Sequence, residues 1–126
     1  MRAVDTNILV RLLTRDDQKH VAAAEAFVAK GAWVSLLVLA ETSWVLDSVY
    51  ELGHAEIATI VEMLLSHEQL TLQDPEVVTA ALAVYQERPT LGLSDCLVLE
   101  IARKAGHLLL GTFDKNLSKL EGTERP

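Results

Sequence analysis

Four acidic residues stand where a folded chain could use them for chemistry: Asp5, Glu41, Asp95 and Asp114. Asp5 closes the apolar opening "MRAV" and precedes the helical "TNILVRLL"; Asp95 opens "DCLVLEIARKA"; Asp114 follows "HLLLGT"; Glu41 interrupts the apolar "LLVLAETSWVL". Singly, each has an ordinary explanation. An Asp at a helix start caps orphan N–H groups for about 1 kcal/mol and complements the positive end of the helix. Glu41 could face solvent beside Asp47 and Ser48. Together they make a more specific pattern, because sites in open α/β sheets form beyond the carboxyl ends of the strands. Acids placed there are expected to converge on one crevice. Two carboxylates about 4 Å apart repel by about 4 kcal/mol at an effective dielectric of ~20, so such a group would either take up protons or hold a cation. Oxygen donors with retained water suit Mg²⁺ or Mn²⁺ better than zinc.

The elements that must position these acids follow from apolar spacing and helix punctuation. "MRAVD" reads as a short strand, "TNILVRLL" and "QKHVAAAEAFVAK" as helices before Gly31, and "AWVS" as a second strand. A helical stripe over "LLVLAETSWVLDSVYEL" stops at Gly53, and "AEIATIVEMLLSH" is the next helix. "LTL" at 70–72 is a strand candidate. Asp74-Pro75 then starts "EVVTAALAVYQER", with Asp at the cap and Pro in the first turn, ending by Pro89. Ser94 can cap "DCLVLEIARKA", which Gly106 stops; "HLLLGT" is the last clear strand, followed by a short helical "KNLSKL". Short apolar strands alternating with helices predict a three-layer α/β/α sandwich with a short, mostly parallel central sheet.

Length and composition narrow the classes. The 126 residues, with no repeat, linker or low-complexity tract, are expected to form one domain over 1–126. Cys96 is the only cysteine, so no internal disulfide framework exists and a reducing, cytoplasmic setting is expected. No export leader opens the chain, and "WVSLLVLA" is too short to span a bilayer, so no membrane association is expected. The net charge of −7 argues against a general nucleic-acid binder, which needs a basic surface. Setting aside the four candidate carboxylates takes −7 to −3.

"DTNILV", "LAETSWVL", "LSDCLVLEIA" and "LLLGTFDKNL" together resemble the signature of PIN-domain ribonucleases, and the compact size and spacing look most like VapC-type toxins of toxin–antitoxin pairs. The resemblance spans nearly the whole chain. It implies a Mg²⁺- or Mn²⁺-dependent endoribonuclease that cleaves single-stranded RNA with metal-activated water. Asp5, Glu41, Asp95 and Asp114 would form an acidic quartet. Asp5 and Asp95 would be primary ligands, Asp114 would bind or orient a second ion, and Glu41 would ligate or position the water. Thr112 would be the hydroxyl two residues before the last acid, and Asn7 the polar residue of the opening motif. Thr6 and Asn7 are expected to serve the turn and its local bonding. The implied partners are RNA, a protein antitoxin (VapB-like) from a neighbouring gene, and a second copy in a homodimer. Many relatives continue past the last helix into a further edge strand, whereas this chain runs into "EGTERP", so that margin is expected to be short or missing.

Other signals are weaker. His20, His54, His67 and His107 lack paired zinc-ligand spacing, and Cys96 has no histidine partner and reads as a small core side chain. Trp33, Trp44 and Tyr50 read as core or interface. Arg11, Arg15 and Lys19 are either phosphate-steering cations or the solvated face of two helices. A phosphatase with an N-terminal Asp nucleophile would resemble Asp-x-Asp-x-Thr; here those positions are Asp5, Asn7 and Leu9, without the second acid or the hydroxyl. The remaining alternatives are a non-catalytic PIN-fold interaction module and a PIN nuclease of RNA processing that is not a toxin.

Overall fold

A computed structural model describes residues 1–126. Strand β1 (Arg2–Ala3) leads to α1 (Thr6–Thr14) and α2 (Gln18–Val28), then β2 (Ala32–Val34), α3 (Leu36–Ser48), α4 (His54–Ser66) and β3 (Leu70–Leu72). Helices α5 (Pro75–Glu87) and α6 (Leu93–Ala105) precede β4 (Leu110–Gly111), a 3₁₀ turn (Leu117–Lys119) and β5 (Thr123–Glu124). Six helices around small parallel ladders make the α/β class that the alternation of apolar strands and helices predicts.

β1, β2 and β3 form a parallel sheet in that order, with Arg2 opposite Ala32, Ala3 opposite Trp33, and Val34 opposite Leu72. Ala32, Val34, Leu70 and Leu72 share one buried face, whereas Thr71 between them is exposed. That face meets a core of aliphatic side chains: Leu9 from α1, Leu39 and Leu46 from α3, Val61 and Leu64 from α4, Val78 from α5, and Leu97 from α6. Truncating such a Leu to Ala typically costs about 2–5 kcal/mol. Cys96 lies in this core with no exposure, as expected, and burial pushes its thiol up to about 11.

Local departures from the sequence reading have local causes. Helix α3 ends at Ser48 rather than near Gly53, because the chain turns left-handed at Glu51 (φ 55°). Asp74 stands at the start of α5, but its carboxylate binds Lys104 Nζ at 2.6 Å instead of capping the helix. Helix α6 begins at Leu93, not after Ser94, because Asp95 Oδ2 accepts the Gly92 N–H and moves the cap upstream.

The last strand shortens to Leu110–Gly111, and the margin is short, as expected, but not missing: Leu110 pairs with Thr123 and Gly111 with Glu124 in a two-residue edge strand. The β4–β5 ladder is parallel and separate from the three-stranded sheet. Leu117 anchors it in the core, and Arg103 holds its return, donating to the Glu121 carbonyl at 3.2 Å and to Glu100 at 3.3 Å. At Gly122 the positive φ of 93° favours glycine, and a Cβ there would press within 3.0 Å of that guanidinium. No helix is long and apolar enough to cross a membrane.

Candidate active site

Asp5 does the capping itself. It is extended (φ −96°, ψ 180°), and its Oδ1 accepts the Ile8 N–H at 3.1 Å. Thr6 and Asn7 do not supply this local bonding, contrary to the sequence expectation. The Thr6 hydroxyl instead crosses to α3 and donates to Glu41 Oε2 at 2.8 Å, while the exposed Asn7 amide has no protein partner. The reason is the order of the residues. With Asp at the cap, Thr occupies the first helical position, where its hydroxyl points away from the N–H groups that need satisfying.

Glu41 lies on the exposed side of α3, joined to the start of α1 by that one bond. Asp95 occupies the first turn of α6, a helix packed against α3, with Oδ2 on the Gly92 N–H at 3.4 Å. Asp114 follows β4. Its Oδ1 accepts the N–H groups of Asn116 at 2.9 Å and Leu117 at 2.7 Å, and the Thr112 hydroxyl accepts the Asp114 N–H at 3.0 Å. Thr112 therefore shapes the turn that presents Asp114.

The four acids share one chemical state. Each uses a single oxygen in a hydrogen bond, keeps the other without a protein partner, and forms no ion pair with Lys, Arg or His. No three His, Cys, Asp or Glu side chains come together closely enough to hold a metal ion between them. Backbone N–H groups hold Asp5 at the start of α1, Asp95 at the start of α6 and Asp114 in the turn after β4. The donor set still fits a hydrated Mg²⁺ or Mn²⁺. Such ions keep several waters and need only one or two direct carboxylates, not an all-protein cage.

The neighbouring cations are partly committed. Arg11 Nη1 binds Asp16 at 3.0 Å, with Nε and Nη2 left without a protein partner, and Arg15 binds Glu25 at 2.5 Å, which favours the solvated-face reading for Arg15. Asp16 is a junction: it also accepts the Tyr50 hydroxyl at 3.0 Å and the Thr14 hydroxyl at 3.1 Å. Those bonds, Tyr50's foremost, hold its carboxyl below the usual range against some desolvation. Trp44, read as core or interface, is 63% exposed and so is not core; Trp33 and Tyr50 are half-buried.

Two features were not visible in the sequence. The Thr6–Glu41 bond joins residues 35 positions apart. A cleft between α1 and α2, lined from Asn7 and Ile8 at the start of α1, is formed by the facing sides of two helices rather than by a contiguous motif.

A family model described as PIN domain matches residues 2–122. No curated protein and no solved structure gives a match.

Proposed function

The chain belongs to the PIN domain family, whose members are generally nucleases and commonly metal-dependent, and from that premise we propose that it is a Mg²⁺- or Mn²⁺-dependent endoribonuclease acting on single-stranded RNA. The observation that carries the reading is the common state of Asp5, Glu41, Asp95 and Asp114: accessible or half-accessible, without ion pairs, each with one oxygen free. Asp5 and Asp95 are assigned to hold the ion, Asp114 to hold or orient a second, and Glu41 to position the attacking water. Thr112 supports Asp114 through the turn, and Thr6 keeps Glu41 facing α1. When bound, a divalent ion supplies Lewis-acid stabilisation of phosphodiester oxygens and lowers the pKa of water.

The biological role proposed is that of the toxin in a VapBC-type pair acting in the cytoplasm. A groove of about 710 Å³ between α1, α2 and α4, lined by Leu9, Leu12, Leu13, Ile60 and Met63, supports docking of a helical antitoxin segment. Leu37 and Trp44, seven residues apart on α3, and Val98 and Ile101 on α6 are exposed on helices that pack together, which supports a homodimer.

The lack of any group of three acidic, Cys or His side chains close enough to hold a metal favours one second reading, a PIN-fold module that binds without cutting. Cleavage of end-labelled single-stranded RNA distinguishes the two. The nuclease reading expects cutting with Mg²⁺ or Mn²⁺ that a chelator stops; no cutting with either metal would leave the binding module. Co-expression with the adjacent open reading frame tests the toxin role. Absence of both a complex and relief of growth arrest would leave a PIN nuclease of another kind.

A further inference from the structure

The cleft between α1 and α2 measures about 450 Å³, within the usual ~300–1,000 Å³ range of ligand clefts. Its walls include Asn7, Ile8, Arg11, His20, Ala23 and Phe27. Ile8 connects it to the acids: its backbone N–H donates to Asp5 Oδ1, and the same residue lines the cleft. Whatever fills the cleft therefore lies about one helical turn from Asp5.

Its polar groups are largely unspent. The Asn7 amide bonds to nothing in the protein. Asp16 occupies only Nη1 of Arg11, leaving Nε and Nη2. Asp17 occupies only Nδ1 of His20, leaving Nε2. Phe27 adds a half-buried ring, with the Arg2 guanidinium 3.8 Å over it. An amide and a guanidinium fork are the two side chains that pair with purine edges, Asn with the N6/N7 side of adenine and Arg with O6/N7 of guanine. Unpaired RNA bases are read in this way, by hydrogen bonds to an exposed edge with apolar or aromatic contact on the face.

We propose that this cleft holds one unpaired purine nucleotide of the RNA, adjoining the phosphate that lies at Asp5. The inference rests on the nuclease reading and adds a specificity subsite to it. Asn7 is then a purine-binding residue rather than a turn residue, and Ala23 is small because a larger side chain would fill the space.

The test is titration of the metal-free full chain with AMP, GMP, CMP and UMP, read as amide chemical-shift changes at Asn7, His20 and Ala23. Saturable shifts are expected with AMP or GMP, with CMP and UMP binding about tenfold more weakly. Ala23→Leu should abolish the purine shifts while the circular dichroism spectrum and Tm are retained. Asn7→Ala, at an exposed position without protein bonds, provides a second variant and should weaken purine binding about tenfold. No shifts, equal shifts for all four nucleotides, or purine shifts that survive both substitutions would overturn the proposal. Asp95→Asn separates the two readings: it should remove cleavage and leave the purine shifts. Purine shifts in a wild-type protein that cuts no RNA would sink the nuclease reading and keep the subsite.

Discussion

The hydroxyl of Thr6 and the carboxylate of Glu41 meet at 2.8 Å, although 35 positions of chain separate them. This bond is the direct link between the α1 terminus carrying Asp5 and the helix carrying Glu41. It gives Thr6, half-buried and expected from the sequence to serve only the turn, a positioning role. Thr6→Val removes the donor and keeps the shape. Cleavage should fall about tenfold, as for loss of a charge-assisted bond, with kcat affected more than KM and Tm little changed. Thr6→Ser should restore activity. Equal activity in Thr6→Val and wild type, measured on the same labelled RNA, would show the bond to be structural only.

Asp5→Asn and Asp95→Asn should abolish metal-dependent cleavage without loss of fold. Asn caps a helix about as well as Asp at position 5, and an Asn side-chain oxygen at position 95 can still accept the Gly92 N–H, so both bonds can be kept while the charge is lost. Thermal melts in the absence of metal should match wild type within the ±0.5 kcal/mol typical of accessible sites. Full RNase activity in purified Asp5→Asn would remove it from the catalytic set.

Self-association should depend on the exposed apolar pairs of α3 and α6. Leu37→Glu and Val98→Glu each place a charge on a side chain that is at least half exposed, at 68% and 50%, so the monomer fold should tolerate them. Light scattering at micromolar concentration should then show monomer for the variants and dimer for wild type. A wild-type protein that stays monomeric would remove the dimer from the proposal.

The Asp16 junction should make stability sensitive to acid. Its carboxyl is held below the ordinary 3.8 by the Tyr50 hydroxyl first, with Arg11 and Thr14 adding to the effect against desolvation. Between 3.8 and the lower native value, the unfolded chain binds a proton that the folded chain does not, so stability falls as pH falls through that window. Above 3.8 the contribution is fully present. Asp16→Asn should be less stable than wild type at neutral pH and should lose part of the acid-side slope in urea melts run from pH 6 to 3. Parallel slopes would show that other carboxylates set the acid limit.

Apolar spacing and glycine or proline punctuation were enough to locate the helices and the three strands of the main sheet, because Gly31, Pro75 and Gly106 mark real boundaries. "HLLLGT" was harder to read. Leu108 and Leu109 look like strand interior, yet both are exposed, and only Leu110 and Gly111 find partners, twelve or more residues downstream. The start of α6 was displaced because a Gly cap with Asp95 behind it lacks the Ser or Thr side chain that signals a cap. The acids were legible one at a time, from their positions at element ends. Their hydrogen bonds were not, since the Gly92 N–H and the N–H groups of Asn116 and Leu117 that engage Asp95 and Asp114 depend on turn geometry. The Thr6 link and the α1–α2 cleft are products of tertiary packing and leave no local trace.

Because β4 and β5 bond to each other and not to the three-stranded sheet, the protein contains two hydrogen-bonded ladders of unequal strength. Such ladders open as separate cooperative units, the smaller at lower free energy. The amides of Leu110 and Thr112, bonded to Gly122 and Glu124, should therefore exchange with deuterium ahead of Val4, bonded to Trp33. Of the candidate acids, Asp114 alone rides on the smaller unit. Its surroundings should therefore be the first of the four to lose protection when that ladder opens.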